Sequence, residues 1–216
     1  MKKYKMLIFD MDGTILYTLE DLKNTTNYAL SEHGFPERTL EEVRQFVGNG
    51  IHKLIERAVP AGTSDADIEA VFTTFEIYYK DHCMDTTRPY DGINDLLTKL
   101  RAQGYMTAVV SNKVDFAVQD LVKDFFVGQF DVAIGEREGV RKKPAPDSVY
   151  EVLKEFDLKK DEVIYIGDSG VDYATAKNAG VDCILVEWGF RDRAFLESLG
   201  ATVFAKKPED ILDIVE

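Results

Sequence analysis

Basic residues are scarce in this chain. Its 216 residues include 26 lysines and arginines against 39 aspartates and glutamates, a formal net charge of -13. Such an excess repels nucleic acid and anionic membranes, so neither is expected as a partner. It also means that an anionic substrate needs local help, from a cation or from backbone N–H groups. Cysteine is nearly missing too. Cys83 and Cys183 form no CxxC pair, which excludes a disulfide framework and fits a reducing compartment; both read as ordinary buried thiols. No hydrophobic run approaches the roughly 18 residues of a membrane span. The opening MKKYKMLIFDMDG has too short an apolar stretch for a signal peptide. A soluble cytoplasmic protein, monomer or homodimer, is the expectation. Internal repeats and low-complexity segments are absent. What is present, 45% hydrophobic and 11% aromatic residues, suffices for one large domain or a core with a modest insertion.

Short apolar, β-rich runs recur at YKMLIF (4–9), MTAVV (106–110), EVIYI (162–166) and DCILV (182–186), with a weaker FDVAI at 130–134. They are continuous rather than alternating, as suits strands buried on both faces. Helical periodicity lies between them: Ile93, Leu96, Leu97 and Leu100, and again Val149, Val152, Leu153 and Phe156, repeat at i, i+3, i+4, i+7. Strands alternating with helices predict an α/β fold with a parallel sheet. From about Leu19 to Cys83 the rhythm breaks. No buried strand is visible there, Ile68, Val71, Phe72, Phe75 and Tyr79 share one helical face, and turn signals fall at 33–36, 48–50 and 59–62. This reads as an all-helical insertion, residues 17–87, within a core formed by 1–16 and 88–216.

The polar clusters all follow apolar strands. Asp10 and Asp12 follow the first, Ser111-Asn112-Lys113 follows MTAVV, Lys142-Lys143-Pro144 comes after FDVAI and a loop, and Gly167-Asp168-Ser169-Gly170-Val171-Asp172 follows EVIYI. In an open parallel sheet the carboxyl ends of the strands share one edge, where ligands bind. Asp10, Asp12, Asp168 and Asp172 are oxygen ligands suited to a hard cation such as Mg²⁺, which would relieve the repulsion between the first pair. Lys143 and the Ser111 hydroxyl suit an anion. Carboxylate, cation and anion clamp together fit phosphoryl transfer, in which an aspartate can itself attack phosphorus.

Four motifs, DMDGT (10–14), SNK (111–113), KP (143–144) and GDSGVD (167–172), resemble those of the haloacid dehalogenase superfamily of phosphohydrolases. VGNG (47–50), RPYDGI (88–93), KKPAPD (142–147) and WGFR (188–191) are similar to its phosphoglycolate-phosphatase-like branch. The resemblance implies a Rossmann-like parallel sheet core with a small inserted all-helical cap domain, and a Mg²⁺-dependent phosphatase for small phosphomonoesters, with 2-phosphoglycolate the named candidate. It implies Asp10 as the nucleophile that becomes an aspartyl-phosphate and Asp12 as general acid, then general base. Asp10, the Asp12 carbonyl, Asp168 and Asp172 (directly or through water) would bind Mg²⁺. Thr14, Ser111, Asn112 and Lys143, rather than Lys142, would hold phosphate. The cap loop Gly48-Asn49-Gly50 would read the leaving group. Many relatives carry Asp-Ser where this chain has Tyr17-Thr18, a departure that bears on cap closure.

Plainer readings stand beside these. Asp10 and Asp12 alone would pass for a surface turn; Ser111-Asn112 is also expected to cap the helix beginning near Asp115; Asp168 and Asp172 suit a helix start. His33, His52 and His82 read as surface or packing residues, Lys53 as solvated, and Trp188, Gly189 and Phe190 as packing, with Arg191 an outside candidate for substrate contact. The rival functions are a sugar-phosphate mutase or broad-specificity sugar phosphatase, and a non-enzymatic phosphate-sensing regulator, which the presence of Asp12 disfavours.

Overall fold

Strand-forming residues concentrate in segments that this computed structural model, described for residues 3–216, assembles into one parallel sheet. The strands are β1 (Met6–Phe9), β4 (Met106–Val114), β5 (Val132–Glu136), β6 (Val163–Gly167), β7 (Asp182–Val186) and β8 (Phe204–Ala205). Their order is β5-β4-β1-β6-β7-β8, and every pairing is parallel. Met6, Ile8, Ala108, Val110, Val163 and Tyr165 cluster with Val149, Val152 and Leu153 of α7 (Asp147–Glu155) and with Ala176 and Ala179 of α8 (Gly170–Ala179). The alternate residues Leu7, Phe9, Val109 and Ile166 belong to the other face and are equally buried. Helices α5 (Ile93–Ala102) and α6 (Asp115–Phe125) pack on β4. Burial on both faces explains the unbroken apolar runs.

Two differences from the sequence reading follow from tertiary pairing. MTAVV is only the first part of β4, which continues through Ser111-Asn112-Lys113 to Val114, with its register against β5 shifting between Val110 and Val114. The polar triplet lies inside the strand, as an irregularity bracketed by the Val110–Ile134 and Val114–Glu136 pairs. The edge strand β8 and the helices α9 (Arg193–Ser198) and α10 (Asp210–Val215) carry too few periodic residues to be visible beforehand. Cys83 is buried, as expected, whereas Cys183 is only partly so.

The chain divides into two compact units, one of residues up to Leu16 with Pro89–Glu216, the other Tyr17–Arg88. Two short strands, β2 (Leu16–Tyr17) and β3 (Arg88–Pro89), pair with each other where the chain passes between them. The second unit contains α1 (Leu19–Glu32), α2 (Leu40–Phe46), α3 (Ile51–Ala58) and α4 (Asp65–His82). Thr39 and Glu42 form a capping box at α2, and Ser64 caps α4 by accepting from the Asp67 N–H. Val71, Phe75 and Tyr79 of the anticipated face are buried, while Ile68 and Phe72 are half-buried. Asp21 is buried on α1, and its carboxylate accepts from the Thr86 and Thr87 N–H groups and the Thr86 hydroxyl, which ties the returning chain to that helix. No described helix is long and apolar enough to cross a membrane.

Candidate active site

The turn after β1 is wound around one carbonyl. Met11 O accepts from the N–H groups of Thr14, Ile15 and Leu16 at 3.2, 3.0 and 3.0 Å, and Gly13 sits at φ +83. A side chain at Gly13 would be strained by that conformation and would collide with the Asp168 carboxylate. The DGT glycine thus lets the loop after β1 press against the acid after β6.

Asp10 and Asp12 have different surroundings, which their spacing alone does not reveal. Asp10 is buried; its Oδ1 accepts from the Met11 N–H at 2.7 Å and pairs with Lys143 Nζ at 2.8 Å. Oδ2 accepts no hydrogen bond from the described residues. Asp12 is half-buried, and its Oδ1 accepts from Lys113 Nζ at 3.1 Å. This buried geometry excludes the surface-turn reading.

Lys143 is buried and its three N–H donors meet Asp10 Oδ1 at 2.8 Å, Asp172 Oδ1 at 2.8 Å and the Tyr165 hydroxyl at 3.1 Å. Its backbone is gripped by Asn112, whose Nδ2 donates to the Lys143 carbonyl at 3.0 Å and whose Oδ1 accepts from the Lys143 N–H at 2.8 Å. Tyr165 donates in turn to the Val110 carbonyl at 3.0 Å. Lys142 is exposed and pairs with Glu136 at 3.3 Å.

Asp168 and Asp172 also divide. Ser169 is the N-cap of α8, and Asp172 completes its capping box: Asp172 Oδ2 accepts from the Ser169 N–H at 3.0 Å and from its hydroxyl at 2.6 Å. With Oδ1 on Lys143, both Asp172 oxygens are engaged. Asp168 Oδ2 accepts from the Phe190 N–H at 2.6 Å, and Oδ1 accepts nothing from the described residues. The carboxylate is enclosed by glycine on its second side as well, since a Cβ at Gly189 would lie 2.6 Å from Asp168 Oδ2 and 2.6 Å from the Gly13 carbonyl.

Asp10, Asp168 and Asp172 each bring an oxygen to within 4.8 Å of the others. Burial, then the Asp172 charge, pushes Asp10 up to about 7 against the pull of Lys143. Burial, then Asp172 and Asp10, likewise holds Asp168 well above the usual carboxylate range. Burial would raise Asp172 too, but the Lys143 charge and the hydrogen bonds from Lys143 and Ser169 bring it below its ordinary value. Burial opposes the charge on Lys143, yet Asp10 and Asp172 raise it well above an ordinary lysine. One ammonium among three buried carboxylates leaves negative charge unbalanced, and a divalent cation fits that deficit. Asp168 Oδ1 is a spare ligand for such a cation, and one oxygen of Asp10 belongs to the same cluster. The Asp12 carboxylate lies outside this cluster.

Thr14 is fully buried, and its hydroxyl has no partner among the described residues. Ser111 is buried, its Oγ accepting from the Lys113 N–H at 3.3 Å. The expected capping of α6 by Ser111-Asn112 does not occur. The N-cap is Val114, without a side-chain cap bond, because extension of β4 carries both residues into the strand and Asn112 is spent on Lys143. Sequence reasoning missed Tyr165, Gly189 and any role for Lys113. The signal for Tyr165 was a phenol set among the aliphatic residues of its strand.

In the helical unit, Gly48 and Gly50 have φ +113 and +85, and Asn49 Oδ1 accepts from Arg57 at 3.0 Å while Arg57 also donates to the Phe46 carbonyl at 2.6 Å. His33 meets Thr74, His52 lies between Glu56 and Glu69, and His82 meets Asp85. Lys53 is exposed and paired with Glu56. These are the surface roles expected of them. Trp188 Nε1–H donates to the Thr14 carbonyl at 2.9 Å, so the WGFR segment braces the DGT turn.

The haloacid dehalogenase-like hydrolase family model matches residues 7–186, and the chain belongs to that family. It is 31% identical to a phosphoglycolate phosphatase of Pseudomonas putida over 97% of this chain and 76% of that one. It is 27% identical to an N-acetylmuramic acid 6-phosphate phosphatase of Pseudomonas aeruginosa over 99% and 96%. A crystal structure from Lactobacillus delbrueckii subsp. bulgaricus, assigned provisionally to the phosphoglycolate phosphatases, superposes with a TM-score of 0.94 at 39% identity, covering 100% and 99% of the two chains. The chain is thus a hydrolase homologous to phosphoglycolate phosphatases.

Proposed function

We propose that this hydrolase releases phosphate from small phosphomonoesters through an aspartyl-phosphate on Asp10. The observation that carries this reading is the pair of buried aspartates, Asp10 and Asp168, that each keep one oxygen uncommitted beside a fully engaged Lys143. Asp10 Oδ1 is held by Lys143 and the Met11 N–H, so Oδ2 is the oxygen that attacks. As its bond to phosphorus forms, the ester P–O bond breaks and the leaving oxygen keeps the electron pair and takes a proton from Asp12. Asp12, now a carboxylate, removes a proton from water as that water attacks phosphorus, which frees inorganic phosphate and Asp10.

Asp10 and Asp168, with the Asp12 carbonyl, would hold Mg²⁺, whose charge would offset the carboxylates and stabilise the phosphoryl oxygens. Asp172 acts one step back, by holding Lys143. Lys143 in turn offers positive charge to phosphate from a fixed position, and Asn112 sets its backbone. Ser111 and the unpartnered Thr14 hydroxyl supply phosphate donors. Substrate selection is assigned to Gly48-Asn49-Gly50 of the helical insert.

The two relatives named above act, by their names, on different phosphate esters. The shared chemistry is therefore the phosphomonoester, with 2-phosphoglycolate as the first to try in a screen of kcat/KM. Phosphate release is expected to require Mg²⁺ and to fall at least about 10⁴-fold in Asp10→Asn, the scale of losing a nucleophile. Full Mg²⁺-dependent turnover by a folded Asp10→Asn protein would falsify the mechanism.

A further inference from the structure

Lys113 has the most buried amine in the α/β unit that is not part of the Lys143 cluster. Its side chain is 1% exposed, and Nζ donates to Asp12 Oδ1 at 3.1 Å. A buried ammonium is costly unless paired and hydrogen-bonded, and Lys113 meets that cost through Asp12. The backbone there is also held tightly. The β5 residue beside it is Gly135, where a Cβ would come within 2.7 Å of the Lys113 carbonyl, and the Gly135 N–H donates to Asp115 Oδ1 at 2.8 Å. The register shift of β4 against β5 occurs over this same stretch. The end of β4 is thus fixed from its far side while its lysine reaches Asp12.

Asp12 needs such support more than Asp10 does. Its side chain is 24% exposed, and rotation about its side-chain bonds would move a transferable proton away from the ester oxygen. We infer that Lys113 is a positioning residue for proton transfer by Asp12, holding Oδ1 so that Oδ2 carries the proton. The inference rests on the phosphatase reading above. In the step it serves, the Asp12 Oδ2–H bond breaks and the proton passes to the leaving alkoxide as that oxygen receives the P–O electron pair. Lys113 keeps its own protons throughout.

Esters differ in how far they need that proton. An alkyl phosphate expels a strongly basic alkoxide and depends on it, whereas p-nitrophenyl phosphate expels a stable phenolate and hardly does. Lys113→Met is expected to lower kcat/KM for the best alkyl phosphomonoester of the screen by about 10²-fold or more, the scale of general acid catalysis, and for p-nitrophenyl phosphate by only a few-fold. The ratio of the two is independent of how much of the sample is folded. Adding Lys113→Met to Asp12→Asn is expected to cost nothing further on the alkyl ester, because the two residues act as one unit. Equal losses on both esters, or a further loss in the double variant, overturn the assignment of Lys113. Asp10→Asn separates the two levels of the argument: if it retains turnover of either ester, the phosphatase reading itself is wrong.

Discussion

Charge is treated differently in the two units. In the α/β unit, Asp10, Lys113, Lys143, Asp168 and Asp172 are all buried; Lys143 joins Asp10 to Asp172, and Lys113 reaches the half-buried Asp12, across strands far apart in sequence. In the helical unit the ion pairs named here are open to water: His52 with Glu56 and Glu69, Lys53 with Glu56, His82 with Asp85. The one buried acid there, Asp21, is satisfied by backbone N–H groups and a hydroxyl rather than by a cation. Burying charge costs several kcal/mol per ion unless partners offset it. A fold that needed only stability would use apolar residues at those positions. The α/β unit keeps its charges and leaves two carboxylate oxygens unsatisfied among them, the feature on which the proposed chemistry draws.

Substitutions break that contrast in graded fashion. The largest effect on stability is expected from Lys143→Met, which strands Asp10 and Asp172 without their cation. Removing one partner of a buried pair costs about 3–5 kcal/mol, to be read by urea denaturation, and phosphate release should be lost with it. Next is Gly189→Ala. Its methyl group would invade the space of Asp168, an overpacking that costs about 1–3 kcal/mol. If Asp168 holds Mg²⁺ as proposed, its displacement should weaken Mg²⁺ binding, read by calorimetry, about 10–100-fold. Unchanged Mg²⁺ affinity in a folded Gly189→Ala protein would remove Asp168 from the metal site.

The third effect is a pH dependence. Burial raises Asp10 from the ordinary 3.8 to about 7, and raises Asp168 in the same direction. Across that window the folded protein retains protons that the unfolded chain has released, so this contribution to stability falls as pH rises. Metal-free protein should therefore lose stability between about pH 4 and pH 7, with a shallower loss in Asp10→Asn. Mg²⁺ should restore stability chiefly at the alkaline end, where the carboxylates are ionised. A wild-type slope no steeper than that of Asp10→Asn would contradict the burial argument. The smallest effect is expected in the helical unit: His52→Ala removes only exposed ion pairs and should change stability by less than about 1 kcal/mol, with kcat/KM unaltered.

Much of the α/β core was legible because its physics is local. Strands buried on both faces must be continuous apolar runs, and β7 at Asp182–Val186 coincides with DCILV residue for residue. The end of β4 was not legible, because Ser111, Asn112 and Lys113 have no strand-like pattern and lie in the irregular stretch between the Val110 and Val114 pairs with β5. Likewise the spacing of Asp10 and Asp12 marks a site but cannot say which acid is buried. For Asp172 the sequence left open a helix start or metal, met directly or through water; its place in the α8 capping box, with its other oxygen on Lys143 29 residues away, depends on the fold.

The sequence by itself determined the alternation of strands and helices, the helical interruption after the first strand, and the acids, hydroxyls and lysine that gather at the strand ends. Periodicity and residue chemistry are properties of short segments, so they survive without coordinates. Only the tertiary structure decided the division of labour: Lys143 between Asp10 and Asp172, Lys113 on Asp12, and Asp168 walled by Gly13 and Gly189. Those partnerships join residues on or after five strands, and buried electrostatics depends on distance and on exclusion of water, neither of which exists until the sheet has formed.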